Sequence, residues 1–136
     1  MIRPINHDIL ILSQPARKAT AADRDVAQDL MDTLAANADR CVGMAANMIG
    51  VPVAIIVVAM GPFNMIMMNP VIVSRKGKYM TEEGCLSLDG VRPCERYETI
   101  EVDYEDAHFR KQHGTFNGFT AQIIQHECDH LKGVII

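Results

Sequence analysis

The chain has no tryptophan, and aromatic side chains are limited to three tyrosines and four phenylalanines. Its interior must therefore be built from aliphatic residues and from methionine, of which there are nine. Met packs adaptably and can line pockets for flexible apolar ligands, although most of the nine read as core filler. Long hydrophobic runs are also missing. The longest, Val51 to Met60, contains Pro52 and is far short of the roughly 18 residues that cross a bilayer. Met1-Ile2-Arg3-Pro4 lacks the apolar stretch of a signal peptide. The expectation is a soluble cytoplasmic protein with no membrane partner. Strong charge is absent too: the net charge is −4, and positive charge forms no stripe. The densest basic cluster, Arg75-Lys76-Gly77-Lys78, reads as a solvated turn, so nucleic-acid binding is not expected. In a reducing compartment the four cysteines read as core, ligand or nucleophile before disulfide.

What is present suits a single domain over residues 1–136, since 49% of the residues are apolar and can fill a core without staples. Asn6 to Pro15 reads as a short extended or turn-rich entry. Thr20 and Asp23 form a weak capping box ahead of Val26, Ala27, Leu30, Met31, Leu34 and Ala35, whose spacing predicts an amphipathic helix ending near Asn37 to Arg40. Val53 to Val58 reads as a buried strand. Met65 to Met68 and Val71 to Val73 read as strand pieces interrupted by Asn69-Pro70. Gly77 reads as a turn, with a return strand over Lys78 to Thr81. Thr99 to Tyr104 alternates as a half-buried strand, and His108 to Gly114 reads as a polar turn. Phe119 to Leu131 has helical spacing, with Gly133 placed to stop it. The order predicts an α+β domain with antiparallel or mixed β-sheets around a C-terminal helix.

That last helix carries His126-Glu127-Cys128-Asp129-His130, an H-E-x-x-H pattern. Residues four apart share a helix face, so both imidazoles can reach one divalent metal while Glu127 stands beside it as an acid/base group. Phe119 and Ile123 make the same side apolar, which predicts that the histidines face inward. Two buried imidazoles without partners are costly, and a metal removes that cost. A catalytic site needs a third protein ligand and an open position. The six residues after His130 contain no acidic side chain, and Ile136 stands where an extended motif places a third histidine. The ligand is therefore expected upstream, from His7, His108, His113 or a cysteine. His108 and His113 read as solvated. Cys85 stands out beside Gly84, yet the residues alone leave Cys41, Cys94 and Cys128 open.

Three segments together resemble the peptide deformylases, whose motifs are G-x-G-x-A-A-x-Q, E-G-C-x-S and Q-H-E-x-D-H. They stand here as Cys41 to Met48, Glu83-Gly84-Cys85-Leu86-Ser87 and Gln125 to His130. The resemblance implies β-strands surrounding the H-E-x-x-H helix and a metal held by Cys85, His126 and His130. The metal it implies is Fe²⁺, with Zn²⁺, Ni²⁺ or Co²⁺ able to occupy the site. It further implies hydrolysis of the N-formyl group from N-terminal formyl-methionine, on peptides and nascent chains met at the ribosome. Glu127 is the implied general base and the backbone N–H of Leu86 an oxyanion donor. Gly43, Met44, Phe119 and Ile123 are placed in the methionine slot, with Arg92 near the peptide. Gly43 to Ala45 is a strand able to pair with the substrate. Glu83 is expected to orient a ligand or the loop rather than take part in chemistry, and Asp129 to bond a neighbouring arginine or cap nearby backbone.

Two motif positions depart from the family pattern. Cys41 replaces the first glycine, and Met48 replaces the glutamine that bonds the oxyanion. A thioether donates no hydrogen bond. The alternative function is thus a deformylase-fold metal-binding protein with weak or no turnover, or one acting on another small amide. A metallopeptidase is disfavoured by the missing downstream ligand.

Overall fold

The chain runs through helices α1 (Ile9–Leu12) and α2 (Arg24–Ala36), strands β1 (Gly43–Ala45), β2 (Ile55–Met60), β3 (Phe63–Cys85), β4 (Leu88–Glu105) and β5 (Lys111–Asn117), and helix α3 (Gly118–Leu131). This computed structural model describes residues 1–85 and 87–134, with Leu88 described by its backbone alone. All five strands pair antiparallel in chain order, β1-β2-β3-β4-β5. Hairpin connections need only short turns, which accounts for so simple an order.

The central run Ile55-Ile56-Val57-Val58 is buried on both faces. Strand alternation divides it between two cores. Ile55 and Val57 join Leu30 and Leu34 of α2, together with Met44, Met48, Val53 and Met68. Ile56 and Val58 join Ala121, Ile123, Ile124 and Leu131 of α3, together with Ala45, Met67, Ile100 and Val102. The sheet is thus a partition between α2 and α3, and methionine fills both sides as the composition implied. No described helix is long and apolar enough to cross a membrane.

Both long helices match the spacing read from the sequence. Asn37 caps α2 at its C-terminal end. Gly133, at φ +78°, follows α3 and its N–H reaches the carbonyl of His130. Four local readings are corrected. The entry segment contains a helical turn, α1, because the Asp8 carboxylate accepts from the N–H of Leu10 at 2.9 Å and caps it. Asn69-Pro70 does not break a strand. It sits at a register shift between Met68 and Val71, with Asn69 at φ +49° and its side chain bonded to Ala19 and Glu105. Gly77 is not a reversal either: β3 continues past it, with a φ of +77° and the side chain of Glu98 packed over it. Most of the expected polar turn after His108 is strand β5, which pairs with β4 from Thr99 to Glu105.

Candidate metal centre

Helix α3 presents its inward face to β1, β2 and β4. On that face His126, Glu127 and His130 are all buried, with His130 only 1% exposed. Cys85 enters from the end of β3, at the register shift between Gly84 and Cys85. The ligand atoms of Cys85, His126 and His130 lie within 4.8 Å of one another. Among the described residues these three alone form such a group. Cys41, Cys94 and Cys128, left open as alternatives to Cys85, do not join it. Cys128 is packed in the core between α3 and the sheet. His7, His108 and His113 are exposed and do not join it, although His7 reaches the carbonyl of Ser87 at 2.8 Å.

The chemistry of this donor set fits a cation. Nδ1 of His126 is engaged by the carboxylate of Glu83 at 2.7 Å, while its Nε2 faces Nε2 of His130 at 3.1 Å. Two imidazole nitrogens so close cannot both present lone pairs without a proton or metal between them. The rings are biased in opposite directions. Burial opposes the charged form of His126, but the bonds with Cys85 and Glu83 and the charge of Glu127 outweigh it and raise its pKa to about 10. Burial, reinforced by His126, drives that of His130 down to about 3. The pair thus accepts one positive charge between its nitrogens. Cys85 adds a soft ligand suited to transition metals.

A cavity of about 630 Å³ opens beside this cluster and is lined by Cys41, Gly43, Met48, Cys85, Ile123 and Glu127, among others. The Glu127 carboxyl group is buried, and among the described residues its Oε1 has no hydrogen-bond partner. Burial pushes its pKa up to about 7, a value suited to proton exchange near neutrality. Gly43 is required by close approach. A Cβ there would lie 2.5 Å from Cγ2 of Ile123 and 3.1 Å from Oε2 of Glu127. At the motif's other end, Met48 is 1% exposed and its sulfur lies 3.5 Å from the N–H of Ala45. Burial raises the Cys41 thiol to about 11, so it is neutral and donates to the carbonyl of Gly43 at 2.8 Å.

The expected slot is assembled only in part. Ile123 lines the cavity wall, and Phe119, 61% exposed, lies on its rim. Met44 is not among the lining residues. Gly43 and Ala45 face α3, so alternation turns Met44 into the core beneath α2. Arg92 does not line the cavity either. It is half-buried and pairs in register with Glu83. Leu86 lies outside the described residues.

Arg96 is a residue the sequence reading passed over. It is 4% exposed, engages Glu83 through Nε and Nη2, and reaches Asp129 through Nη1 at 2.8 Å. The available signal was parity: Cys94, Arg96, Ile100 and Val102 share the inward face of β4. Gln122 was also missed, and its amide donates to Glu83 at 2.9 Å. Of the two partners expected for Asp129, the structure shows the arginine, and Glu83 contacts His126.

The family model for polypeptide deformylase matches residues 1–136. The peptide deformylase of Clostridium beijerinckii is 56% identical over 136 residues, covering the whole of both chains. The crystal structure of a peptide deformylase from Legionella pneumophila superposes with a TM-score of 0.89 at 31% identity, over 99% of this chain and 83% of that one. A peptide deformylase from Acinetobacter baumannii, crystallised with Met-Ala-Ser, gives 0.88 at 28% identity, over 99% of this chain and 97% of that one. With the H-E-x-x-H helix enclosed by the same sheet, the chain belongs to the peptide deformylase family.

Proposed function

We propose that the chain hydrolyses the N-formyl group from N-terminal formyl-methionine of nascent proteins, with Cys85, His126 and His130 holding a divalent metal. The observation that carries this reading is Glu127: a buried carboxyl group with a free oxygen, beside a soft three-ligand cluster and facing a cavity of side-chain size. Fe²⁺ is the proposed working metal, with Zn²⁺, Ni²⁺ or Co²⁺ as occupants that the same donors accept. Bound there, such an ion supplies Lewis acidity that acidifies water and polarises a carbonyl. Glu127 takes a proton from the attacking water and returns it to the leaving amine nitrogen. The substrate methionine lies along Ile123 with Phe119 at the rim. Among the described residues β1 is an edge strand paired with β2 alone, so its other edge can receive the peptide backbone. Nascent chains emerging from the ribosome are the natural partners of this chemistry.

Met48 favours a slower enzyme rather than a different one. Its sulfur accepts from a backbone N–H and offers an oxyanion nothing to bond. The test is formate release from formyl-Met-Ala-Ser by protein loaded anaerobically with Fe²⁺. Release well above a metal-free control is expected. None from a sample holding one metal per chain would overturn the reading.

A further inference from the structure

The Glu83 carboxylate accepts from three side chains, those of His126, Gln122 and Arg96. Its Oε1 receives Nδ1 of His126 at 2.7 Å, and its Oε2 receives the amide of Gln122 at 2.9 Å. The Arg96 guanidinium covers both oxygens, with Nη2 at 2.6 Å from Oε1 and Nε at 3.0 Å from Oε2. Nη1 of Arg96 is fixed in turn by Asp129 at 2.8 Å and by the carbonyl of Glu95 at 3.1 Å. Gln122, His126 and Asp129 lie on one face of α3, at i, i+4 and i+7. Glu83 and Arg96 come from β3 and β4. Arg96 thus stitches the hairpin to the helix that carries two of the three ligands, and each of its three nitrogens has an acceptor.

An imidazole ligates through one nitrogen only if the other holds the proton. The Glu83 contact sets that tautomer in His126, leaving Nε2 free to point at Cys85 and His130. A buried carboxylate so placed needs its own geometry fixed. Among the described residues the Arg96 guanidinium and the His126 imidazole are the two basic groups in contact with it, and Arg96 is the one whose charge does not depend on a proton that metal binding displaces. We propose that Arg96, clamped between Glu83 and Asp129, is a positioning residue for His126 and thereby sets how tightly, and in what geometry, the metal is held. This rests on Cys85, His126 and His130 being the ligands.

Co²⁺ is the probe, because its visible absorption reports ligand geometry and thiolate coordination without turnover. Wild type, Arg96→Met, Arg96→Lys, Asp129→Asn and Cys85→Ser are loaded with Co²⁺. Affinity is read by competition with a chromogenic chelator, and folding by thermal melting. Loss of an outer partner typically weakens metal binding about 10- to 100-fold, and a loss in that range with displaced absorption bands is expected for Arg96→Met. Arg96→Lys should recover part of it, since charge returns without the fork. Asp129→Asn, which alters only the outer end of the clamp, should give a smaller loss in the same direction and keeps the question decidable if Arg96→Met fails to fold. A folded Arg96→Met with wild-type affinity and spectrum overturns the inference, as does an unchanged Asp129→Asn if Arg96→Met does not fold. If Cys85→Ser itself leaves Co²⁺ affinity and spectrum unchanged, the ligand assignment falls instead.

Discussion

Nε2 of His126 and Nε2 of His130 stand 3.1 Å apart, on side chains one helical turn from each other. Neither can withdraw: His126 is tied to Glu83 and His130 is packed at 1% exposure. The arrangement is held open for a cation, and binding one should stabilise the fold. At a free metal concentration about 100 times its dissociation constant, the gain is about 2.7 kcal/mol. Thermal melts with and without chelator should show this as an upward shift in Tm of several degrees. Elemental analysis should find one metal per chain, lost in Cys85→Ser and His126→Ala. Full metal content in Cys85→Ser would refute Cys85 as a ligand.

Glu127→Gln keeps the volume of the side chain and removes its ability to take a proton. Oε1 has no hydrogen-bond partner among the described residues, so the substitution breaks no bond shown at that atom. Turnover of formyl-Met peptides should fall about 10²–10⁴-fold while metal content and Tm hold. Comparable activity in a metal-replete variant would remove Glu127 from the chemistry.

Gly43 offers a sharper geometric test. An added methyl collides with Ile123 at 2.5 Å and crowds the Glu127 carboxylate at 3.1 Å. Gly43→Ala should cost about 1–3 kcal/mol of stability by overpacking and should lower kcat. Ile123→Ala removes the clashing Cγ2, so Gly43→Ala should cost less stability in the Ile123→Ala background than in wild type, read in denaturant titrations. A single variant as stable and active as wild type would show that the close approach is unimportant.

The sequence made legible whatever depends on periodicity and short spacing. Helix α3 follows from Phe119 to Leu131, and the burial of His126 and His130 follows from the apolar side they share with Ile123. The alternation of Ile100 and Val102 gave the inner face of β4. Where long-range pairing decides, local reading failed. Asn69-Pro70 and Gly77 are turn-forming in isolation, yet both lie within β3 because β4 pairs along its whole length. Met44 was assigned to the slot by its place in a motif, but parity on β1 sends it to the opposite core. Arg96 lies 13 residues along the chain from Glu83, and nothing local announces that they meet.

Met48 is the departure with the clearest consequence for rate. Its buried sulfur lies among the cavity-lining residues, where the family motif carries an amide. Met and Gln have similar length, so Met48→Gln should fit with little rearrangement and restore a donor. Removing one such donor elsewhere costs about 10²–10³ in kcat. The reverse substitution here should raise kcat about tenfold or more and leave KM nearly unchanged, as expected for a bond strengthened only in the transition state. Steady-state formate release decides it, and an intact variant with no gain would show that another group already serves the oxyanion.

Away from the site, Asp23 controls acid stability at the entry to α2. The Arg17 fork holds its two oxygens at 2.8 and 2.9 Å, and the Thr20 N–H adds a third bond at 2.9 Å. The Arg17 contact outweighs burial and lowers its pKa from 3.8 to about 2. A carboxyl with a depressed folded pKa stabilises the protein above its unfolded value and loses that contribution as pH falls through the folded one. The stabilisation is therefore whole at neutrality and disappears between about pH 4 and pH 2. Because Arg17 is 57% exposed, water screens the pair, and about 1 kcal/mol or less is the expected size. Asp23→Asn should lower stability by that amount at pH 7 and flatten the acid limb of the stability curve over the same window. Urea titrations across pH 2 to 7 measure both. Equal losses for wild type and variant below pH 4 would mean that other carboxylates, and not Asp23, govern the acid transition.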